Sequence, residues 1–111
     1  MLDLTTAFGE LYQVKLLDGT VLELKRPTQA LQNAIVNLQK FGTDGENTSK
    51  AMDMAMDIFC RILNRNTNGI EYKADEVKEE YDYTLALVVI TDYLKYYAAE
   101  VSNNVNFQVV Q

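Results

Sequence analysis

Between Leu11 and Leu24 apolar residues alternate with polar ones, and from Leu31 onward they recur at intervals of three and four, so a short β region precedes a helical one. Tyr12, Val14 and Leu16 share one face of a first strand, Leu22 and Leu24 return on a second, and Asp18-Gly19 marks the reversal. The register decides which face is apolar. A two-residue turn that opposes Leu16 to Val21 puts Glu23 and Lys25 on the face of Tyr12 and Val14. A three-residue loop of Leu17, Asp18 and Gly19 opposes Leu16 to Thr20 instead. It gathers Tyr12, Val14, Leu16, Leu22 and Leu24 on one side and needs Gly19 in the left-handed region of a G1 bulge. The expectation is therefore a bulged hairpin over 11–25.

Pro27 has no amide donor and ends the second strand, while Thr28 stands where a helix N-cap is wanted. Leu31, Ala34, Ile35 and Leu38 follow at the spacing of one buried face, which predicts a first helix over about 28–41 with Gly42 as its stop. After a polar loop, Thr48 or Ser49 can cap a second helix over 48–64, with Met52, Ala55, Met56, Phe59, Ile62 and Leu63 facing inward. Three methionines, Met52, Met54 and Met56, suit irregular surfaces as well as plain core filling. Beyond the break at Asn64 to Gly69, Ile70 and Tyr72 read as a brief extended piece, followed by a short acidic helix over 74–81. Asp82 then caps a closing helix over 83–102.

Leu85 to Ile90 makes the first half of that closing helix apolar on every side, and Tyr93, Tyr96 and Tyr97 continue it with amphipathic rings. In so short a chain such a helix either is central to the core or turns one face to another subunit, so self-association is expected. In the tail at 103–111, Val105, Phe107, Val109 and Val110 alternate with Asn and Gln as an exposed strand would. The candidate partner-binding residues are Leu85, Val88, Val89, Tyr93 and Tyr96 on the helix, with Val105, Phe107 and Val109 in the tail. The chain reads as one α+β domain over 1–102, mainly α, with an N-terminal β-hairpin followed by a bundle of about four helices, and an interaction tail after it.

Composition narrows the partners. With 48% hydrophobic and 23% charged residues, a chain of 111 can bury one core and is expected to fold. A net charge of −6 opposes attraction to phosphate backbones and anionic bilayers, so neither nucleic acid nor membrane is expected as a partner. The longest apolar run, Leu85 to Ile90, falls far short of the ~20 residues that cross a bilayer. The lone Cys60 cannot form an internal disulfide, and no charged, apolar leader opens the chain, which points to a cytosolic product.

Candidate chemistry is sparse. Asn64, Asn66, Asn68 and Gly69 mimic the first half of a calcium loop, but neutral amides stand where carboxylates are needed, Glu71 takes an apolar position and Asp75 replaces the bidentate glutamate. An ordinary Asn/Gly turn is the expectation. Asp75, Glu76, Glu79, Glu80 and Asp82, interspersed with Lys78, read as a solvated helix face rather than a pair with split pKa values. Cys60 follows Ile58 and Phe59 on an apolar helix in a chain with no histidine, so a packing thiol is expected. No phosphate-cradling loop, paired-cysteine motif or serine hydrolase elbow is present. No enzyme, metal or cofactor is expected.

The order of these stretches resembles the tail assembly chaperones of long-tailed, siphovirus-like phages and prophages, particularly those of Gram-positive hosts. The resemblance rests on Tyr12-Gln13-Val14-Lys15-Leu16-Leu17-Asp18-Gly19, on Leu22-Glu23-Leu24 with Pro27, and on Ile62-Leu63-Asn64-Arg65-Asn66 with Gly69-Ile70-Glu71-Tyr72. It spans Leu11 to Val101 and departs from the family where Lys73 and Ala74 stand in place of Thr or Ser before the acidic helix. It implies a protein of the host bacterial cytoplasm that coats the tape measure protein and helps tail tube protein polymerise around it. It also implies a longer product made by ribosomal slippage near the end of the short one. The competing readings are a structural head-tail connector or minor tail subunit, and a small bacterial adaptor protein.

Overall fold

The computed structural model describes residues 1–3, 10–42 and 48–109, with the backbone alone at 41, 42, 48 and 99–109. Strands β1 (Tyr12–Lys15) and β2 (Val21–Leu24) precede helices α1 (Gln29–Gly42), α2 (Thr48–Leu63), α3 (Ala74–Glu80) and α4 (Tyr83–Val109). The fold is thus α+β and mainly α, a two-stranded antiparallel hairpin followed by four helices.

The hairpin takes the bulged register. Tyr12 opposes Leu24 and Val14 opposes Leu22. The Leu16 N–H donates to Thr20 O at 2.8 Å, and the Gly19 N–H donates to Leu16 O at 2.9 Å. Gly19 sits at φ +90°, a conformation that a side chain resists. Asp18 Oδ1 accepts the Thr20 N–H at 2.9 Å, and these bonds from Thr20 hold its carboxyl below the usual carboxylate range. Tyr12, Leu16, Leu22 and Leu24 are buried, whereas Gln13, Lys15 and Glu23 face solvent.

The stretch after α2 departs from expectation. The extended piece falls at Arg65 to Thr67, where Lys25 N–H donates to Arg65 O and Thr67 N–H to Glu23 O, each at 2.9 Å, with Leu24 bridged to Asn66. Ile70 and Tyr72 carry no strand pairing. Asparagines hold this link in shape. Asn66, 8% exposed, donates to Leu63 O and Ile70 O at 2.8 and 2.7 Å and accepts the N–H groups of Asn68 and Ile70 at 3.0 and 3.1 Å. Asn64 pairs with the backbone of Tyr72 in both directions, at 2.9 and 2.7 Å. The oxygens that a cation would need are therefore occupied by backbone donors.

Thr28 Oγ1 accepts the Leu31 N–H at 3.1 Å and Asp82 Oδ1 the Leu85 N–H at 2.9 Å, the two caps read from the sequence. Lys73 stands at the N-cap of α3 without a side-chain bond, and α2 already includes Thr48, so its cap lies outside the described residues. Helix α2 is the hub, packing against α1, α3, α4 and β2. Its buried stripe is Ala51, Ala55, Ile58, Phe59 and Ile62. Met52 stands one position off that stripe and is 43% exposed, which corrects its expected inward placement.

Helix α4 continues to Val109, past the expected end at 102, so the backbone at 103–109 is helical and not the extended strand its alternation predicted. No glycine or proline interrupts the chain from Tyr83 to Val109, and Val101, Val105 and Val109 recur at four-residue intervals that serve a helical period equally well. Residues 110 and 111 lie outside the described residues.

Candidate functional site

Helix α4 has two unlike faces. On the inner one, Ala86, Ile90, Tyr93 and Tyr97 are buried at intervals of four, three and four. Tyrosine hydroxyls stitch this face to the hairpin. Tyr93 donates to Lys25 O and Tyr97 to Leu24 O, while the Tyr97 oxygen also accepts the Tyr12 N–H at 3.1 Å. Tyr96 donates to Glu10 O at 2.6 Å, and Tyr12 donates to Asp92 Oδ2 at 2.7 Å. The rings meet edge-on, Tyr12 against Tyr93 at 5.6 Å and Tyr93 against Tyr97 at 5.3 Å between centroids. Burial pushes the phenols of Tyr12, Tyr93 and Tyr97 up, and the Asp92 carboxylate raises Tyr12 further. These groups are built to stay protonated and donate.

The outer face is open. Leu85 is 38% exposed and Val88 60%, although both sit in the most apolar stretch of the chain. Between β1 and α4 runs a groove of about 640 Å³ whose apolar wall includes Tyr12, Val14, Leu87, Val88 and Val89, with Lys15 and Asp92 also lining it. Toward α1 two depressions of about 460 and 290 Å³ share Leu94, the larger reaching Val36 and the smaller Ile35 and Leu38, and the smaller shares Leu87 and Thr91 with the β1 groove. The β1 groove and the smaller α1 recess therefore adjoin along Leu87 and Thr91 of α4.

The expected partner residues separate accordingly. Leu85 and Val88 lie on the open face, and half-buried Val89 lines the β1 groove. Tyr96 is half-buried and tied to Glu10, at the edge of that surface. Tyr93, expected at a partner surface, is 0% exposed and belongs to the core, because its hydroxyl completes the end of β2. Val105, Phe107 and Val109 lie on the helical extension, with side chains outside the described residues.

Other candidates resolve into structure. Cys60 is buried, its thiol pushed up by burial and donating to Tyr72 O at 3.3 Å. Among the described residues no group of three or more His, Cys, Asp or Glu could hold a metal ion. No described helix is long and apolar enough to cross a membrane. Sequence reasoning missed Arg65, whose guanidinium donates twice to Arg26 O at 3.2 and 2.8 Å and so fixes the entry to α1. Its only signal was a position inside the Asn64-x-Asn66 stretch, because a fork onto a backbone carbonyl leaves no charge partner to find. Comparison with known proteins gives no match: no family model fits the sequence, and no curated protein or solved structure is significantly similar to it.

Proposed function

We propose that this chain is a binding module for apolar helical segments, acting as a phage or prophage tail assembly chaperone in the host bacterial cytoplasm. In this reading it covers the tape measure protein until tail tube protein displaces it. The observation that carries the proposal is the open face of α4, where Leu85 and Val88 stand exposed and Val88 lines the β1 groove, beside an adjoining recess against α1 that would also accept side chains of an amphipathic helix. The order of hairpin, asparagine link, acidic helix and closing helix, which resembles that family, supports the choice of partner. Soluble domains seldom leave a contiguous apolar surface uncovered, and a holdase needs one that can be vacated.

Co-expression with a long helical tape measure protein, taken from the neighbouring gene where one is encoded there, tests the reading. A soluble complex that forms with the native chain and is lost with Val88→Asp, while the variant's own melting temperature holds, is the expected result. A tape measure protein equally insoluble with and without the chain, or bound as well by Val88→Asp, overturns it.

A further inference from the structure

The link between α2 and α3 contains the chain's one Asn-Gly step, Asn68-Gly69, and its surroundings leave that step chemically open. Asn66 Oδ1 accepts the N–H groups of Asn68 and Ile70 on either side, at 3.0 and 3.1 Å, yet the Gly69 N–H between them has no hydrogen-bond partner among the described residues. Asn68 and Gly69 are both exposed, and Gly69, at φ +77°, has no Cβ to shield its nitrogen. The Asn68 amide is held only by long bonds: Glu23 N–H donates to its Oδ1 and its Nδ2 donates to Val21 O, both at 3.4 Å. The Glu23 donor also draws electron density from Cγ.

We propose that Asn68 is a site of spontaneous succinimide formation and deamidation, which ages the seam between the link and β2. The Gly69 amide gives its proton to a solvent base, and its nitrogen forms a bond to Asn68 Cγ. The Cγ–Nδ2 bond then breaks, and the nitrogen leaves as ammonia with a proton from water. Water next adds to either carbonyl of the five-membered imide and opens one of its two C–N bonds. The products are aspartate, or isoaspartate in which the backbone runs through Cγ. Ring closure expels one ammonia with no net use of water, and ring opening consumes one water, so water is the only co-reactant.

Two consequences follow from the geometry. The donor to Val21 O disappears, and a carboxylate appears beside Glu23, taking the net charge one unit below −6. In the isoaspartate, an extra backbone atom enters the stretch that Asn66 clamps at both ends. The hairpin loop offers an internal contrast. In Asp18-Gly19 the glycine N–H already donates to Leu16 O at 2.9 Å, and bonds from Thr20 favour the Asp18 carboxylate, a poor electrophile. That site stays intact.

Peptide mapping by mass spectrometry, with isoaspartyl methyltransferase labelling, follows the folded protein in mildly alkaline buffer at physiological temperature. The expected result is conversion at Asn68 at a rate comparable to the same chain unfolded in urea, and at least about tenfold faster than at any other asparagine. Conversion about tenfold slower in the folded protein than in urea, or another asparagine reacting first, overturns the proposal. Aged native protein should also melt below fresh protein, while Asn68→Gln, whose side chain closes a ring far less readily, should not change on ageing. Equal loss in both proteins overturns the claim that this site weakens the seam.

Discussion

Helices α2 and α4 draw on similar apolar residues and use them differently. In α2 the buried stripe of Ala51, Ala55, Ile58, Phe59 and Ile62 is opposed by exposed Asp53, Asp57 and Arg61 at four-residue intervals, and the helix touches most of the fold. In α4 the core claims Ala86, Ile90, Tyr93 and Tyr97, yet Leu85 and Val88 remain in water. Segregation of apolar from polar residues therefore reports burial, whereas apolar content in excess of one stripe reports surface. Of the two alternatives its all-round apolar character allowed, α4 takes a mixed form, with one face in the core and the other open.

Substitutions sharpen this contrast, beginning where the effect is largest. Phe59 of α2 is 0% exposed and meets Tyr81 edge-on at 5.1 Å, so Phe59→Ala should cost about 3–5 kcal/mol in a urea titration. Tyr97→Phe removes the hydroxyl that serves both Tyr12 N–H and Leu24 O in a buried setting, and should cost about 1–3 kcal/mol by the same measurement. An unchanged midpoint would mean that α4 is less firmly tied to the hairpin than its bonds indicate.

Alkaline pH tests the tyrosines together. Tyr12, Tyr93 and Tyr97 have folded pKa values raised above the ordinary 10.0, so from pH 10 upward the unfolded chain loses protons that the native one keeps. Stability is fully present below pH 10 and falls above it, by about 1.4 kcal/mol per pH unit for each proton of difference. A melting temperature flat well above pH 10 would contradict the buried-donor assignment. Gly19→Val should cost about 1 kcal/mol or more through backbone strain alone, since no atom lies within 4 Å of the position a Cβ would take. Val88→Asp should change stability by less than about 0.5 kcal/mol while removing partner binding, and a large loss of stability would place Val88 in the core after all.

Local chemistry made much of this legible in advance. The hairpin register followed from the need to keep Glu23 off an apolar face, and the caps at Thr28 and Asp82 from side-chain oxygens placed ahead of helical periods. What stayed hidden depended on distant partners. Pairing of Arg65 to Thr67 with β2 arises because the asparagine clamp aims that backbone at the hairpin, which composition does not display. The outer face of α4 could be narrowed only to two alternatives, because an all-round apolar helix carries no phase; its facing is set by where the tyrosine hydroxyls find carbonyls. The end of α4 was misplaced because apolar residues spaced by two, Val105, Phe107 and Val109, and valines spaced by four, Val101, Val105 and Val109, satisfy both periods.

The bonds of Tyr12 bear on how the chain acquires its structure as it is made. Its hydroxyl and backbone N–H find partners 80 and 85 positions later, on the last helix. A hairpin of two four-residue strands is marginal in water on its own, so it is not fully secured until α4 is available. Folding should therefore be late and nearly all at once, and a chain stalled before Asp92 to Tyr97 should present a loose hairpin to chaperones and proteases in place of a half-finished domain.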